Sequence, residues 1–138
     1  MSLTINILLV DDVEYSRDLL RGSLLTCTHE HKMDIETNFF HSSTGADIID
    51  VIKYNKIDLV YLDIDLPHIS GLNVLKEIRE NYPKLMVVMV SGESSIENVT
   101  TAIRSGANGF IVKPFNSGRI LETVENYLKR LSKQKAKS

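Results

Sequence analysis

Three acidic residues, one serine and one lysine of this 138-residue chain each follow a short apolar run. They are Asp11, Asp12, Asp63, Ser91 and Lys113. The runs before them have the length and composition of buried strands: INILLV, DLVYL, KLMVVMV and GFIV. Because the carboxyl ends of parallel strands form the ligand crevice of an open α/β sheet, we expect the five side chains to converge there.

This set of side chains indicates metal-assisted phosphoryl transfer. Three carboxylates close together cannot all stay ionised unless a cation offsets their repulsion. Carboxylate oxygens are hard ligands that suit Mg²⁺. We therefore expect a Mg²⁺ site on Asp11, Asp12 and Asp63, with the ammonium of Lys113 beside it.

The elements that must position these residues alternate between apolar runs and segments of helical period, which is the pattern of a parallel α/β sheet. The predicted strands span residues 5–10, 34–40, 59–62, 85–90 and 109–112. The predicted helices span residues 16–25, 44–54, 72–81, 94–105 and 117–131. Thr44 is a candidate N-cap of the second helix, and Leu19, Leu20 and Leu24 should face inward from the first.

Composition is that of an ordinary globular protein, with 43% hydrophobic and 25% charged residues. The length suits one domain that buries about two-thirds of its unfolded surface. A single cysteine, Cys27, excludes an internal disulfide and fits a reducing compartment. No run approaches ~18 apolar residues and no signal peptide is recognisable, so we expect a cytoplasmic protein without membrane association.

Charge is unevenly distributed, although the net charge is only −2. Residues 129–138 carry five basic groups and no acidic one, which leaves 11 basic and 18 acidic groups before them. An acidic body argues against direct binding of nucleic acid, because phosphate contacts need a basic face. We predict one domain over residues 1–131, followed at 132–138 by a basic tail or the start of a linker.

Four segments in this order resemble the receiver domain of two-component response regulators, including the chemotaxis receivers. They are ILLVDD (7–12), VYLDIDLPHISGL (60–72), VVMVSG (87–92) and SGANGFIVKPF (105–115). The resemblance extends from Ile5 to Leu131. It implies a doubly wound, flavodoxin-like α/β fold, in which a five-stranded parallel sheet of order 2-1-3-4-5 is flanked by five helices.

The resemblance implies a role for each residue of the predicted site. Asp63 would accept a phosphoryl group, and Asp11, Asp12 and Asp63 would hold Mg²⁺ together with the backbone carbonyl of Asp65. Lys113 would contact the acceptor carboxylate and then the phosphoryl oxygens. Positive charge from Mg²⁺ and Lys113 would offset the repulsion between a carboxylate nucleophile and an anionic phosphoryl group.

Ser91 and Phe110 would form the switch. Ser91 would hydrogen-bond the phosphoryl group, and Phe110 would turn into the space that Ser91 vacates. The family more often has threonine and tyrosine at these positions, so a switch through Phe110 would depend on packing alone. The resemblance also implies a cis bond between Lys113 and Pro114.

Two further acids, Asp65 and Glu93, follow the acceptor and Ser91 by two residues each. The resemblance implies that both side chains point toward the path of the phosphoryl donor. A charge pair at ~4 Å contributes about 1–4 kcal/mol between bulk water and a protein surface. We therefore expect Asp65 and Glu93 to slow self-phosphorylation by small anionic donors.

The connection after the first predicted helix, residues 27–34, is longer than is usual for the family. Cys27, His29 and His31 lie there, but they lack a complete zinc-ligand spacing. We interpret the stretch as a polar loop at a partner-facing edge.

The implied function is a signalling switch whose chemistry is limited to Mg²⁺-dependent self-phosphorylation and self-dephosphorylation. A histidine kinase or a phosphotransfer protein would act upstream. A downstream protein or a missing output domain would receive the signal, and a phosphorylation-dependent homodimer is a further expectation.

Two alternatives use related chemistry or a related fold. Asp63-Ile64-Asp65 resembles the Asp-x-Asp of haloacid-dehalogenase-like phosphohydrolases, which also form an aspartyl phosphate with Mg²⁺. That family has its nucleophile near the chain start and its acidic pair late, the reverse of the order here. A flavodoxin-like cofactor binder would need small residues and free N–H groups in the first loop, where this chain has the acidic DDVEYS.

Overall fold

Over residues 3–92 and 96–136, which the computed structural model describes, five strands alternate with five helices. The strands are β1 (Leu3–Val10), β2 (Ile35–Ser42), β3 (Leu59–Asp63), β4 (Met86–Ser91) and β5 (Gly109–Val112). The helices are α1 (Glu14–Glu30), α2 (Ile48–Asn55), α3 (Gly71–Asn81), α4 (Ile96–Arg104) and α5 (Ser117–Ala136).

The five strands form one parallel sheet in the order β2-β1-β3-β4-β5. β1 pairs with β2 along its whole length, and its last residue, Val10, stands beside Leu62 of β3. The carboxyl ends of the strands are therefore nearly level at one edge of the sheet. This confirms the predicted flavodoxin-like α/β fold with the order 2-1-3-4-5.

Two hydrophobic layers hold the helices against the sheet. The first layer joins strand residues such as Leu8, Val60 and Met89 to Ile48 of α2, Leu75 of α3 and Ala102 of α4. The second layer joins strand residues such as Ile7, Tyr61 and Val88 to Leu24 and Cys27 of α1 and to Ile120 and Val124 of α5. β1, β3 and β4 are buried on both faces, as interior strands of a parallel sheet must be.

Helix α1 differs most from its prediction, since it extends to Glu30 and not to residue 25. The interpretation of residues 27–34 as a polar loop is therefore wrong for Cys27 and His29, which are helical. Cys27 follows Leu24 by three residues on the buried face and is only 4% exposed. Leu19, predicted to face inward, is 46% exposed because it lies beside that face.

Helix α2 begins later than predicted, and its N-cap is Asp47, so the assignment of Thr44 as the cap is wrong. The hydroxyl of Thr44 accepts a hydrogen bond from the N–H of Ala46 at 3.2 Å in the turn before the helix. Asp47 is oriented by the Ser42 hydroxyl, which donates to its carboxylate at 2.6 Å. The turn between β2 and α2 therefore takes up the first residues of the predicted helix.

Helix α5 continues to Ala136, beyond the predicted end at residue 131. The basic residues of this segment therefore extend a helix as far as the structure describes the chain. Neither α5 nor any other helix among the described residues combines the length and apolar composition needed to cross a membrane. For α4, the predicted residues 94 and 95 lie outside the described part of the chain.

Candidate functional site

The carboxyl ends of β1, β3, β4 and β5 meet at the edge of the sheet where four of the predicted site residues lie. Asp63 and Ser91 are the last residues of β3 and β4, while Asp11 and Lys113 directly follow β1 and β5. Parallel pairing sets Ser91 beside Val112, so the next residue, Lys113, leaves the sheet next to the end of β4. The structure thereby brings Asp11, Asp63 and Lys113 into direct contact.

The ammonium of Lys113 lies between two buried carboxylates. Its Nζ is 2.8 Å from Oδ2 of Asp63 and 3.1 Å from Oδ2 of Asp11. The other oxygen of Asp63 accepts from the N–H of Asp65 at 2.8 Å, and that of Asp11 accepts from the N–H of Val13 at 2.9 Å. Each carboxylate therefore has one oxygen held by the backbone and one held by Lys113.

The two carboxylates differ in the direction of their pKa shifts. Burial is the largest influence on Asp63, and it outweighs the hydrogen bond from Lys113, so the pKa of Asp63 lies above its ordinary value. Burial also acts to raise the pKa of Asp11, but hydrogen bonds from Val13, Ser16 and Lys113 together lower it. Burial acts to lower the pKa of Lys113, and its two carboxylate partners raise it more. Lys113 is therefore a cation at neutral pH.

Asp12 and Asp65 lie beside this trio in the chain, and both are exposed. Among the residues that the structure describes, no three acidic, histidine or cysteine side chains are gathered closely enough to hold a metal ion as a group. The chemistry of these groups nevertheless suits a hard divalent cation. The buried carboxylates of Asp11 and Asp63 share a single ammonium, so negative charge is left over, and the exposed carboxylate of Asp12 follows Asp11 in the chain. The assignment of Asp11, Asp12, Asp63 and the Asp65 carbonyl to Mg²⁺ stays a prediction.

Ser91 and Phe110 are both buried close to this edge. The hydroxyl of Ser91 has a long contact of 3.5 Å with Oδ2 of Asp65, and its carbonyl accepts from the N–H of Lys113 at 2.8 Å. Phe110 is 7% exposed and packs in the first layer. The bond between Lys113 and Pro114 is cis, as the resemblance implied. Glu93 lies outside the described residues.

Three residues near the site were not predicted from the sequence. Arg17 donates to the carbonyl of Asp11 at 2.6 Å, and the hydroxyl of Ser16 hydrogen-bonds the Asp11 carboxylate. Gly71 packs so closely on β3 that a Cβ there would collide with the carbonyl oxygen of Asp63. Ser16 and Arg17 lie in the first turn of α1, and this position in the sequence could have indicated that they contact the site. For Gly71 the sequence indicates only a turn.

The sheet order and the grouping of Asp11, Asp63 and Lys113 at its edge are those of a receiver domain, and comparison with known proteins agrees. The profile of the response regulator receiver domain family matches residues 7–125. The chain belongs to the response regulator receiver domain family and is a CheY-like receiver of two-component signalling. Receiver domains typically bind Mg²⁺, which agrees with the hard oxygen donors at this edge of the sheet.

Individual relatives support the same family. The chain is 33% identical to the chemotaxis protein CheY of Bacillus subtilis over 122 residues, which is 88% of this chain and 96% of that protein. It is 34% identical to the regulatory protein LuxO of Vibrio vulnificus over 92 residues, which is 67% of this chain but only 20% of LuxO. The crystal structure of the NtrX receiver domain from Brucella abortus superposes with a TM-score of 0.74 at 37% identity, covering 89% of this chain and 98% of that one. The chain thus spans nearly all of CheY and a fifth of LuxO.

Proposed function

We propose that this receiver is a phosphorylation switch that accepts a phosphoryl group on Asp63 from a histidine kinase or a phosphotransfer protein. The environment of Asp63 carries the proposal. Its carboxylate is buried at the end of β3, with one oxygen bound to Lys113 and the other to the N–H of Asp65. The nucleophile is thereby oriented from two sides before a donor arrives.

In the proposed reaction, an oxygen of Asp63 forms a bond to phosphorus as the bond from phosphorus to the donor breaks. The electrons of that bond leave with the donor's histidine nitrogen. Lys113 balances the charge of the carboxylate and then of the phosphoryl oxygens. Mg²⁺, held by Asp11, Asp12, Asp63 and the carbonyl of Asp65, would supply further positive charge toward the same oxygens.

The switch would begin at Ser91 and Phe110. The acyl phosphate adds a charge of about −1.5 to −2 and new acceptor oxygens at the sheet edge. The hydroxyl of Ser91 would leave its long contact with Asp65 and donate to one of these oxygens. Phe110 would repack by shape alone and alter the surface of α4, β5 and α5, where a downstream protein, an output domain or a second phosphorylated copy would bind.

We propose that the chain has no metabolic turnover beyond modifying and releasing its own Asp63. The receiver family favours this over the phosphohydrolase alternative. A phosphate ester offered in excess separates the two functions: a phosphohydrolase would release phosphate over many cycles, while a switch would release none from the ester.

Labelling tests the proposed acceptor. Incubation with acetyl phosphate and Mg²⁺ should add one phosphoryl group, and beryllofluoride with Mg²⁺ should occupy the same site in place of that group. Peptide mass spectrometry should locate the phosphoryl group on Asp63, and Asp63→Asn should abolish it. Asp50→Asn, on the exposed side of α2, removes an equal charge and should leave labelling intact. A label on any other residue, or no response to either reagent, would remove Asp63 from this role.

A further inference from the structure

A cleft of about 660 Å³ opens at the end of the molecule opposite Asp63, where the strands begin. One wall is the end of α3 and its connection to β4, residues 81–86, and another is α5 over residues 127–134. Ile57 and Asp58, which precede β3, complete it. None of the proposed phosphoryl chemistry uses this part of the protein.

The α5 wall is one face of the helix. Tyr127, Arg130, Leu131 and Gln134 line the cleft at the spacing i, i+3, i+4 and i+7, which places them in one stripe. This stripe is complete because α5 continues past residue 131 to Ala136. Between its polar ends the cleft has an apolar lining, which is formed by Ile57, Leu85, Met86 and Leu131.

Three basic side chains in or beside this cleft have no acidic partner among the residues that the structure describes. Arg130 donates to the carbonyl of Lys84 at 3.1 Å, and Lys84 is itself exposed. Nearby, Arg79 donates to the carbonyls of Tyr82 and Gly106 at 3.0 and 2.8 Å. Within the described ranges, no carboxylate forms an ion pair with any of the three basic side chains.

Electrostatics at the cleft agrees with this geometry. The pKa of Arg79 is lowered, first by burial and second by the positive charge of Arg130. The two guanidinium groups therefore repel each other. The one acid in the lining, Asp58, is already bound, because its carboxylate accepts from the N–H of Asn6 at 2.9 Å. An anionic partner would relieve the repulsion that the protein leaves in place.

We propose that this cleft binds an acidic, amphipathic peptide segment of a partner protein. Apolar side chains of the segment would occupy the lining around Leu131, and its carboxylates would pair with Arg130 and Lys84. A nucleic acid fits less well, because residues 1–128 carry 11 basic against 18 acidic groups and would repel a phosphate chain that extends past the cleft. The site lies far from Asp63 in the fold and does not depend on its phosphorylation.

Two synthetic peptides test the proposal against uniformly ¹⁵N-labelled protein. Both carry the same leucine and phenylalanine residues, with glutamates between them in one peptide and lysines in the other. The glutamate peptide should shift the amide resonances of residues 81–86 and 127–134, and added salt should weaken its binding. The lysine peptide should bind at least about tenfold more weakly, because its charges meet Arg130 and Lys84.

Charge reversals localise the site. Arg130→Glu and Lys84→Glu should each weaken binding of the glutamate peptide by about tenfold, because each turns an attraction into a repulsion. Lys76→Glu makes the same change of charge on an exposed turn of α3 outside the cleft and should keep the wild-type affinity. Circular dichroism on all three variants confirms that the fold is retained.

Several results would overturn the proposal. They are equal binding of the two peptides, no binding of either, resonance shifts confined to other surfaces, and full affinity in both cleft variants. Tighter binding of a DNA duplex than of the glutamate peptide would instead identify a nucleic-acid surface. Asp63→Asn should bind the peptide normally, so failure of this proposal leaves the phosphorylation proposal untouched.

Discussion

At the scale of single residues, the site is a balance of charges around Lys113. One ammonium serves two buried carboxylates, Asp63 and Asp11, and backbone N–H groups bind the two remaining oxygens. The exposed acids Asp12 and Asp65 stand outside this balance. Both carboxylates face solvent, and that of Asp65 also has the long contact with the Ser91 hydroxyl.

We expect Asp65→Asn to speed self-phosphorylation by acetyl phosphate. Asp65 is exposed, and under the proposed function its carboxylate would add negative potential where an anionic donor enters, an effect of about 1–4 kcal/mol at ~4 Å before screening by salt. Stopped-flow measurements at several salt concentrations should show that the advantage shrinks as salt rises, because exposed charges are screened beyond ~8–10 Å.

Asp50→Asn is the control for the loss of one negative charge away from the site, and it should react at the wild-type rate. A slower Asp65→Asn variant would contradict the prediction. It would mean that the Asp65 carboxylate supports the metal or its water and does not repel the donor.

At the scale of elements, the connection between β3 and α3 is held against the strand by Gly71. Its N–H donates to the carbonyl of Ile64 at 2.8 Å, and the Ser70 hydroxyl caps α3 by accepting from the N–H of Leu72 at 3.2 Å. The loop that contains Asp65 is therefore closed tightly over the end of β3.

Gly71→Ala should destabilise the protein by about 1–3 kcal/mol or more, because the added Cβ meets backbone atoms of β3 that cannot turn away. Urea unfolding measures the change, and self-phosphorylation should slow with it because the loop beside Asp63 is displaced. Gly22→Ala is the matched control in α1, where a Cβ meets nothing within 4 Å. That variant should gain up to about 1 kcal/mol, and a neutral Gly71→Ala would show that the loop can yield.

The output surface gives a second prediction at this scale. Beryllofluoride should change hydrogen exchange over residues 94–115 more than over α1, because in the proposed switch Ser91 and Phe110 would connect Asp63 to that region. Mass spectrometry of the exchanged protein measures it, with Asp63→Asn as the unresponsive control. A change confined to α1 would place the partner surface elsewhere.

The strands, and the grouping of Asp11, Asp63 and Lys113 at their ends, were predictable because both depend on local patterns. Apolar runs followed by Asp63, Ser91 and Lys113 mark strand ends directly in the sequence. The end of α1 was missed, because after Leu24 only Cys27 continues the apolar stripe.

Arg79 was missed for a different physical reason. Besides the nearby carbonyl of Tyr82, its acceptors are the carbonyl of Gly106 and the amide oxygen of Asn108, which folding brings from 27 and 29 residues away. No spacing rule connects an arginine on a helix to such acceptors, so the sequence indicates only a solvated charge.

At the scale of the whole molecule, stability should fall in alkali. Burial raises the pKa of Tyr61, whose hydroxyl lies 2.7 Å from that of Thr123, and burial raises the pKa of Tyr127 to about 12. An acid whose pKa is raised by folding contributes stability that is complete below its unfolded pKa of about 10 and is lost as the pH rises toward the folded value.

Urea unfolding of wild type between about pH 9 and about pH 11 should therefore show a steady loss of stability. Tyr61→Phe should be less stable at neutral pH by about 0.5–1.5 kcal/mol, since a buried hydrogen bond is lost, and should lose less over the alkaline range. Tyr54→Phe, at a side chain that is 77% exposed, should follow the wild-type curve. Parallel curves for wild type and Tyr61→Phe would exclude Tyr61 as a source of the loss.

The second hydrophobic layer also constrains how the protein is made. It unites α1, near the start of the chain, with Ile120 and Val124 of α5, near its end. A ribosome releases α1 and the first strands well before α5 has been translated. The part of this layer that α5 covers therefore stays apolar and exposed until α5 itself has been made. That exposed part is a binding surface for chaperones and, in a chain terminated before α5, the site where aggregation begins.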